Sequence, residues 1–327
     1  MGSRRMRDLS RRPDVEVRAF DGRPDRRQSA ESRFGVATFP TMAAALDWAP
    51  EALVISTPPG TKGPLVDLAL DRGIHHFVEA DIWSYGAASR TAQHPNLVCA
   101  PSLTFSFLPV FKALVEVVPA TIGPLLGYQF TLAGEMNGWH PGEGIEYYGR
   151  HRDTAPAREM VPFELAWLAR LFGPAKRVAG GFNQFNPRPG SFEDTWSLQM
   201  QLEHGGTGQV TVTMGCPHDF RRGWAFGANG TVVWDINRGE IVLHGANTPE
   251  TVQQHGVLGQ VIEATYAAEI GAFVDAIQGR APWTHSYEEY QHGLATLAAA
   301  ETGARTDLWT AVQPNQEPSR VLARPGP

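Results

Sequence analysis

Two cysteines, Cys99 and Cys216, are all the chain has in 327 residues. That is far too few for a disulfide framework or a cysteine-lined metal site. No apolar run approaches the roughly 20 residues of a membrane-crossing helix, so no membrane partner is expected. The Gly-x-Ser-x-Gly elbow of an α/β-hydrolase is missing. No set of His, Asp and Glu has a convincing metal spacing, so no metal is expected, and His75-His76 reads as packing and strand-edge polarity. Positive charge is not in excess either. A net charge of −6 and a pI near 6.0 give no electrostatic reason to expect nucleic acid. Residues 1–33 do carry ten arginines, but acids interleave with them, and solvated helix faces are the reading. The remaining absence concerns glycine. A dinucleotide-binding half begins strand, Gly-x-Gly-x-x-Gly, helix. This chain opens on the helix, only Gly2 is a candidate remnant of the turn, and Arg5 stands where the third glycine would fall. The expectation is a start placed one strand too late, or a lost phosphate cradle. A soluble, cytoplasmic protein is the default class.

What is present is organised around Glu51–Tyr85. The apolar runs Leu53–Ile55 and Phe77–Val78 flank an amphipathic segment stopped by Gly73, which is a strand–helix–strand unit. Upstream, the sequence predicts a helix over Ser3–Arg12 with Met6 and Leu9 on one face, a strand over Val15–Phe20, a helix over Asp25–Phe34 ending at Gly35, and a helix over Thr41–Trp48 with Thr41 as N-cap. Alternation of this kind implies a doubly wound parallel sheet. Past residue 106 the pattern changes to one helix, a strand Gly127–Leu132, a long polar and aromatic loop, a helix Arg158–Phe172, and a run of antiparallel candidates between Val178 and Leu243. Two helices, Tyr266–Gln278 and Tyr287–Arg305, close the chain. Two domains are expected: residues 1–106, α/β with the first strand missing, and 107–327, α+β with an open, mostly antiparallel sheet.

Val15–Arg26, Ala52–Leu70, His76–Asp81, Ile122-Gly123 before a strand, Glu159–Gly173 and Tyr266–Gln278 occur in an order that resembles the glucose–fructose oxidoreductase / inositol dehydrogenase (Gfo/Idh/MocA) family. The resemblance implies a Rossmann-like domain binding NAD or NADP, a substrate domain whose open sheet often makes a homo-oligomer contact, and hydride transfer on a sugar-like or polyhydroxylated small molecule. It also exposes departures. Lys62 stands where Thr-Pro-Pro-x-x-His usually has histidine, Ala80 replaces the lysine of Glu-Lys-Pro, and Phe163 replaces the usual catalytic histidine. Removing hydride from a carbinol needs a base for the proton and a group that stabilises the developing alkoxide. Alanine and phenylalanine supply neither.

Candidate residues follow from both lines. Ligands of doubly wound sheets bind outside the carboxyl ends of strands. Asp21 sits at such an end, suited to the adenosine ribose or simply to a turn, and Arg23 beside it would favour a 2′-phosphate. Thr57, Pro58 and Pro59 form a rigid turn where backbone can approach a cofactor, and Glu79 ends the next strand. Lys62 reads first as a solvated helix-start lysine, and second as an ammonium reaching a phosphate or the place vacated by Ala80. Glu159 takes the family's aspartate position, with His140 or His151 as replacement acid–base groups. Tyr148 and Arg158 are substrate-binding candidates, Arg158 also a tether for Glu159. Glu164, five residues on, should not pair with Glu159. Two rival functions stand beside the oxidoreductase: a non-redox partner subunit, and a lyase or hydrolase that uses the cofactor transiently.

Overall fold

A computed structural model describes residues 1–80, 87–135, 154–185 and 192–319. The chain divides into two compact units, Met1–Phe107 with Glu263–Tyr287, and Leu108–Ile262 with Glu288–Pro327. The segment 263–287 thus joins the first unit, whereas sequence reading put it with the second.

In the first unit, helix α1 (Gly2–Leu9) precedes strand β1 (Arg18–Phe20), α2 (Pro24–Phe34), β2 (Ala37–Phe39) and α3 (Met42–Asp47). Gly35 ends α2 in the left-handed region at φ 68°, where a Cβ would be strained, and Thr41 caps α3 by accepting from the Ala44 N–H at 3.2 Å. Strand β3 (Ala52–Ile55), α4 (Lys62–Asp71), β4 (His75–Val78), the short α5 (Ala87–Thr91) and β5 (Cys99–Pro101) follow. The parallel strands form two sheets rather than the single one expected. β1 pairs with β2, β3–β4–β5 stand apart, and no described strand joins β1 to β3. Leu9, Phe77, Ala100, Ile270, Phe273 and Val274 make the core against which Val15, Val17 and Trp283 pack. Ile270, Phe273 and Val274 come from α8 (Leu258–Ile277), which explains why that helix returns to this unit.

The second unit has α6 (Pro109–Ile122), β6 (Leu125–Glu135), α7 (Pro156–Phe172), β7 (Ala175–Asn183), β8 (Thr195–Leu202), β9 (Thr207–Thr213), β10 (Gly215–Gly227), β11 (Gly230–Asp235), β12 (Glu240–Gly245), β13 (Thr251–Gln254), most of α9 (Tyr287–Thr306) and β14 (Thr310–Ala311). Its nine strands run in the order β13-β12-β11-β10-β6-β9-β8-β7-β14, antiparallel except for β6 beside β9. This is the open sheet expected. Strand β10 is long because it pairs along nearly all of β6 across an irregularity between Gly215 and Phe220. One face is covered by aromatic packing. Trp167 of α7 meets Phe130 and Phe111 edge-on at 5.0 and 5.9 Å, and Phe172 stacks on Tyr128 at 4.4 Å. Gly208, opposite Tyr128 on the neighbouring strand, makes room for that ring, since a Cβ there would lie 2.7 Å from it. No described helix is long and apolar enough to cross a membrane, and no described group of three His, Cys, Asp or Glu could hold a metal ion.

Candidate functional site

Helix α1 buries Arg5, Asp8 and Leu9, not the Met6–Leu9 face that hydrophobicity alone suggests. The cause is electrostatic. Arg5 is 1% exposed, and its Nε donates to Glu79 Oε1 at 2.7 Å while Nη2 donates to Glu269 Oε2 at 2.6 Å and Nη1 to the Tyr266 carbonyl at 2.9 Å. Its guanidinium also lies 4.6 Å from the Phe77 ring centroid. Glu269, fully buried, further accepts from the hydroxyls of Ser102 and Thr104 and the backbone N–H of Leu103 at 2.8–3.0 Å. Burial pushes the Glu269 carboxyl above its usual range, against the pull of Arg5. Sequence reasoning missed this cluster. Its signals were an arginine in the third-glycine position and a glutamate inside the otherwise apolar run Tyr266–Val274. The remaining N-terminal arginines behave as expected: Arg4 and Arg7 pair with Glu263, Arg12 with Asp14 and Asp275, and Arg23 with Asp25, all with solvent access.

The carboxyl ends of β3 and β4 lie next to this cluster in the chain. Glu79, expected to face a cofactor, is held by Arg5, and the N–H of Glu79 donates to the Ile55 carbonyl at 3.1 Å. Thr57, Pro58 and Pro59 form a closed turn: the Thr61 hydroxyl donates to the Pro58 carbonyl at 2.7 Å and meets Thr57 Oγ1 at 2.9 Å. That turn delivers Lys62 as the first residue of α4. Lys62 is not solvated. It is 3% exposed, and its ammonium donates to the carbonyls of Ala80 at 2.6 Å and Glu79 at 3.3 Å. The sequence reading that gave first weight to a surface lysine is corrected here, because the chain's own strand end supplies acceptors that a helix-start lysine can reach. Ser56, at the end of β3, has a buried hydroxyl with no partner, and a Cβ on Gly2 of α1 would lie 3.6 Å from the Ser56 Cβ. At the end of β1, Asp21 closes a turn by accepting from the Arg23 N–H at 2.9 Å. Arg23 itself binds Asp25.

In the second unit, Glu159 is half-buried in the first turn of α7, where an acid is stabilised by the helix dipole. Arg158 is 1% exposed and donates to Glu301 of α9 at 2.7 Å and to the Ser319 carbonyl at 2.7 Å. Glu164 turns elsewhere, accepting from Trp167 Nε1 at 2.7 Å and Arg221 Nε at 3.2 Å, and burial pushes its carboxyl up against the pull of Arg221. Helix α7 starts two residues earlier than expected and contains Pro162; Gly293 of α9 lies against that turn, with a Cβ there only 2.8 Å from the Pro162 carbonyl. His140, Tyr148 and His151 lie outside the described residues.

The fit to a dinucleotide can be judged on these atoms. Pyrophosphate needs N–H and O–H donors without competing carboxylates. The uncapped start of α1, the orphaned Ser56 hydroxyl and the Lys62 ammonium are such donors, while Glu79, the carboxylate that would repel it, is neutralised by Arg5. The residues present therefore fit.

Among solved structures, the chain is similar to levoglucosan dehydrogenase in complex with NADH and levoglucosan (TM-score 0.81, 17% identity, 94% of this chain and 96% of that one). It is similar also to an oxidoreductase from Agrobacterium radiobacter in complex with NAD+, L-tartaric acid and magnesium (0.78, 15%, 95% of each chain). A third is myo-inositol 2-dehydrogenase from Lactobacillus plantarum (0.77, 14%, 95% and 96%). No protein-family model and no curated protein matches the sequence. At these identities the likeness establishes the fold: a Rossmann-like unit and a unit built on an open, mostly antiparallel sheet, as the sequence implied.

Proposed function

We propose that the chain is an NAD(P)-dependent oxidoreductase of the Gfo/Idh/MocA type, acting on a sugar-like or polyhydroxylated small molecule. The observation that carries this reading is the unpartnered Ser56 hydroxyl beside the buried Lys62 ammonium, at the strand ends of a fold shared with enzymes crystallised with NAD or NADH. A bound nicotinamide would supply the hydride acceptor. The chain's own part is as follows. The start of α1, Ser56 and the Thr57–Pro59 turn hold the phosphates and ring edge, Asp21 takes the adenosine ribose through its turn, and Arg23 lies beside the 2′-position. Arg5 keeps Glu79 neutralised, so the strand end tolerates an anion. Glu159, with His140 or His151 as its partner, relays the proton in the substrate unit, and Tyr148 lies against the substrate. Arg158 holds α9 in place through Glu301.

A second reading, a non-redox partner subunit, is favoured by two specific facts: Glu79 is occupied by Arg5, and Phe163 is buried where a catalytic histidine would stand. One assay separates them. The purified chain is offered NAD+ or NADP+ with levoglucosan, myo-inositol and L-tartrate in turn, following the absorbance of the reduced nicotinamide. The first reading expects oxidation of at least one polyol and its loss in Glu159→Ala. No reduced nicotinamide with any polyol and either cofactor would favour the partner subunit.

A further inference from the structure

The chain has 25 arginines but only three lysines, Lys62, Lys112 and Lys176. Lys112 and Lys176 are exposed. Wherever a buried carboxylate needs a cation, the sequence uses arginine: Arg5 on Glu79 and Glu269, Arg158 on Glu301, Arg221 on Glu164. Lys62 breaks that habit. It is buried, yet among the described residues no carboxylate lies within ion-pairing distance of its Nζ, and its two hydrogen bonds go to main-chain carbonyls. An ammonium has three N–H donors, so among the described residues one is left without an acceptor. Holding a cation out of water on carbonyl dipoles alone forgoes the compensation an ion pair gives. Structural tethering does not by itself call for lysine, since the buried ties elsewhere in the chain use arginine. What a guanidinium cannot do is lose a proton, whereas an amine can.

We propose that Lys62 is the proton-exchanging residue at the strand ends, with its third N–H directed to the hydroxyl or carbonyl oxygen of the substrate. This deepens the oxidoreductase reading and rests on it. In oxidation Lys62 enters as the amine. The carbinol carbon gives its C–H electron pair as hydride to the oxidised nicotinamide, the O–H bond breaks, and its proton passes to Nζ, leaving a carbonyl compound and an ammonium. In reduction the ammonium returns that proton to the oxygen. The carbonyls of Glu79 and Ala80 fix the nitrogen in place through the cycle. Lysine thus reaches the site from the start of α4, while position 80 of the strand end carries only a methyl group.

The test uses the small number of lysines. Labelling with 15N-lysine gives three ε-nitrogen signals, and Lys62→Arg deletes one, which assigns it. The Lys62 signal should move on saturation with NADH while those of Lys112 and Lys176 stay. Lys62→Arg, which keeps the cation, should melt near the wild type and still bind NADH, yet lose turnover of the best panel polyol by roughly a hundredfold or more, the usual scale of a lost acid–base group. Methylamine should restore part of the rate in Lys62→Ala. A strap role predicts otherwise: Lys62→Arg would keep wild-type turnover, and that result overturns the proposal. So does a Lys62 signal indifferent to NADH that demonstrably binds, a readout that decides even if no panel polyol is oxidised. If the wild type binds no NADH, the oxidoreductase reading falls and this inference with it.

Discussion

Replacing Arg5 with methionine should cost about 3–5 kcal/mol of stability, the range for removing one partner of a buried ion pair. Arg5 is the only cation among the described residues within ion-pairing reach of both Glu79 and Glu269, the latter with no solvent exposure at all. Without it, two carboxylates stay in the core of the first unit between Phe77 and α8, and desolvation already opposes the charge on Glu269. The melting midpoint should fall by roughly 6–20 °C at the 2–4 °C per kcal/mol typical of chains of 150–250 residues. Adding Glu269→Gln to the variant should recover part of the loss, because one buried charge disappears while the amide oxygen still accepts from Ser102 and Leu103. A variant with the wild-type midpoint would mean that both carboxylates reach water. NADH affinity should fall too, since an unpaired Glu79 would face the pyrophosphate.

The second large effect lies at Arg158. Expected from sequence to bind substrate or tether Glu159, it ties α7 to α9 through Glu301, both partners of the pair being 1% exposed. Arg158→Met leaves Glu301 buried and uncompensated, and a loss of about 3–5 kcal/mol is expected. The double variant Arg158→Met/Glu301→Leu should return most of that stability, since well-packed apolar replacements of a buried pair are often neutral. Substrate KM, where turnover is measurable, should be unchanged in the double variant. A raised KM with intact stability would restore the substrate role to Arg158.

These two arginines show where the sequence was readable and where it was not. Periodicity gave the strand–helix alternation, the caps at Thr41 and Gly35, and the open antiparallel sheet, because each rests on local chemistry: a hydroxyl before a helix, a glycine at positive φ, alternating burial. The paired charges were not legible. Arg5 and Glu269 are 264 positions apart, and nothing in either neighbourhood announces the other. Lys62 was misjudged for the same reason. Its acceptors are main-chain carbonyls of a strand end, which every residue has, so the side chain's burial leaves no trace in residue types. The short β2, β13 and β14 were missed because two to four residues carry too little pattern.

The central claim is that the strand ends of the first unit receive a nicotinamide dinucleotide through Ser56, the start of α1 and Lys62. Calorimetric titration of the purified chain with NADH, repeated with NADPH, addresses it most directly. The account predicts saturable 1:1 binding in the micromolar range for one of the two, weakened in a Ser56→Val variant that removes the orphaned hydroxyl. Absence of binding by both, from protein that melts cooperatively, would contradict it.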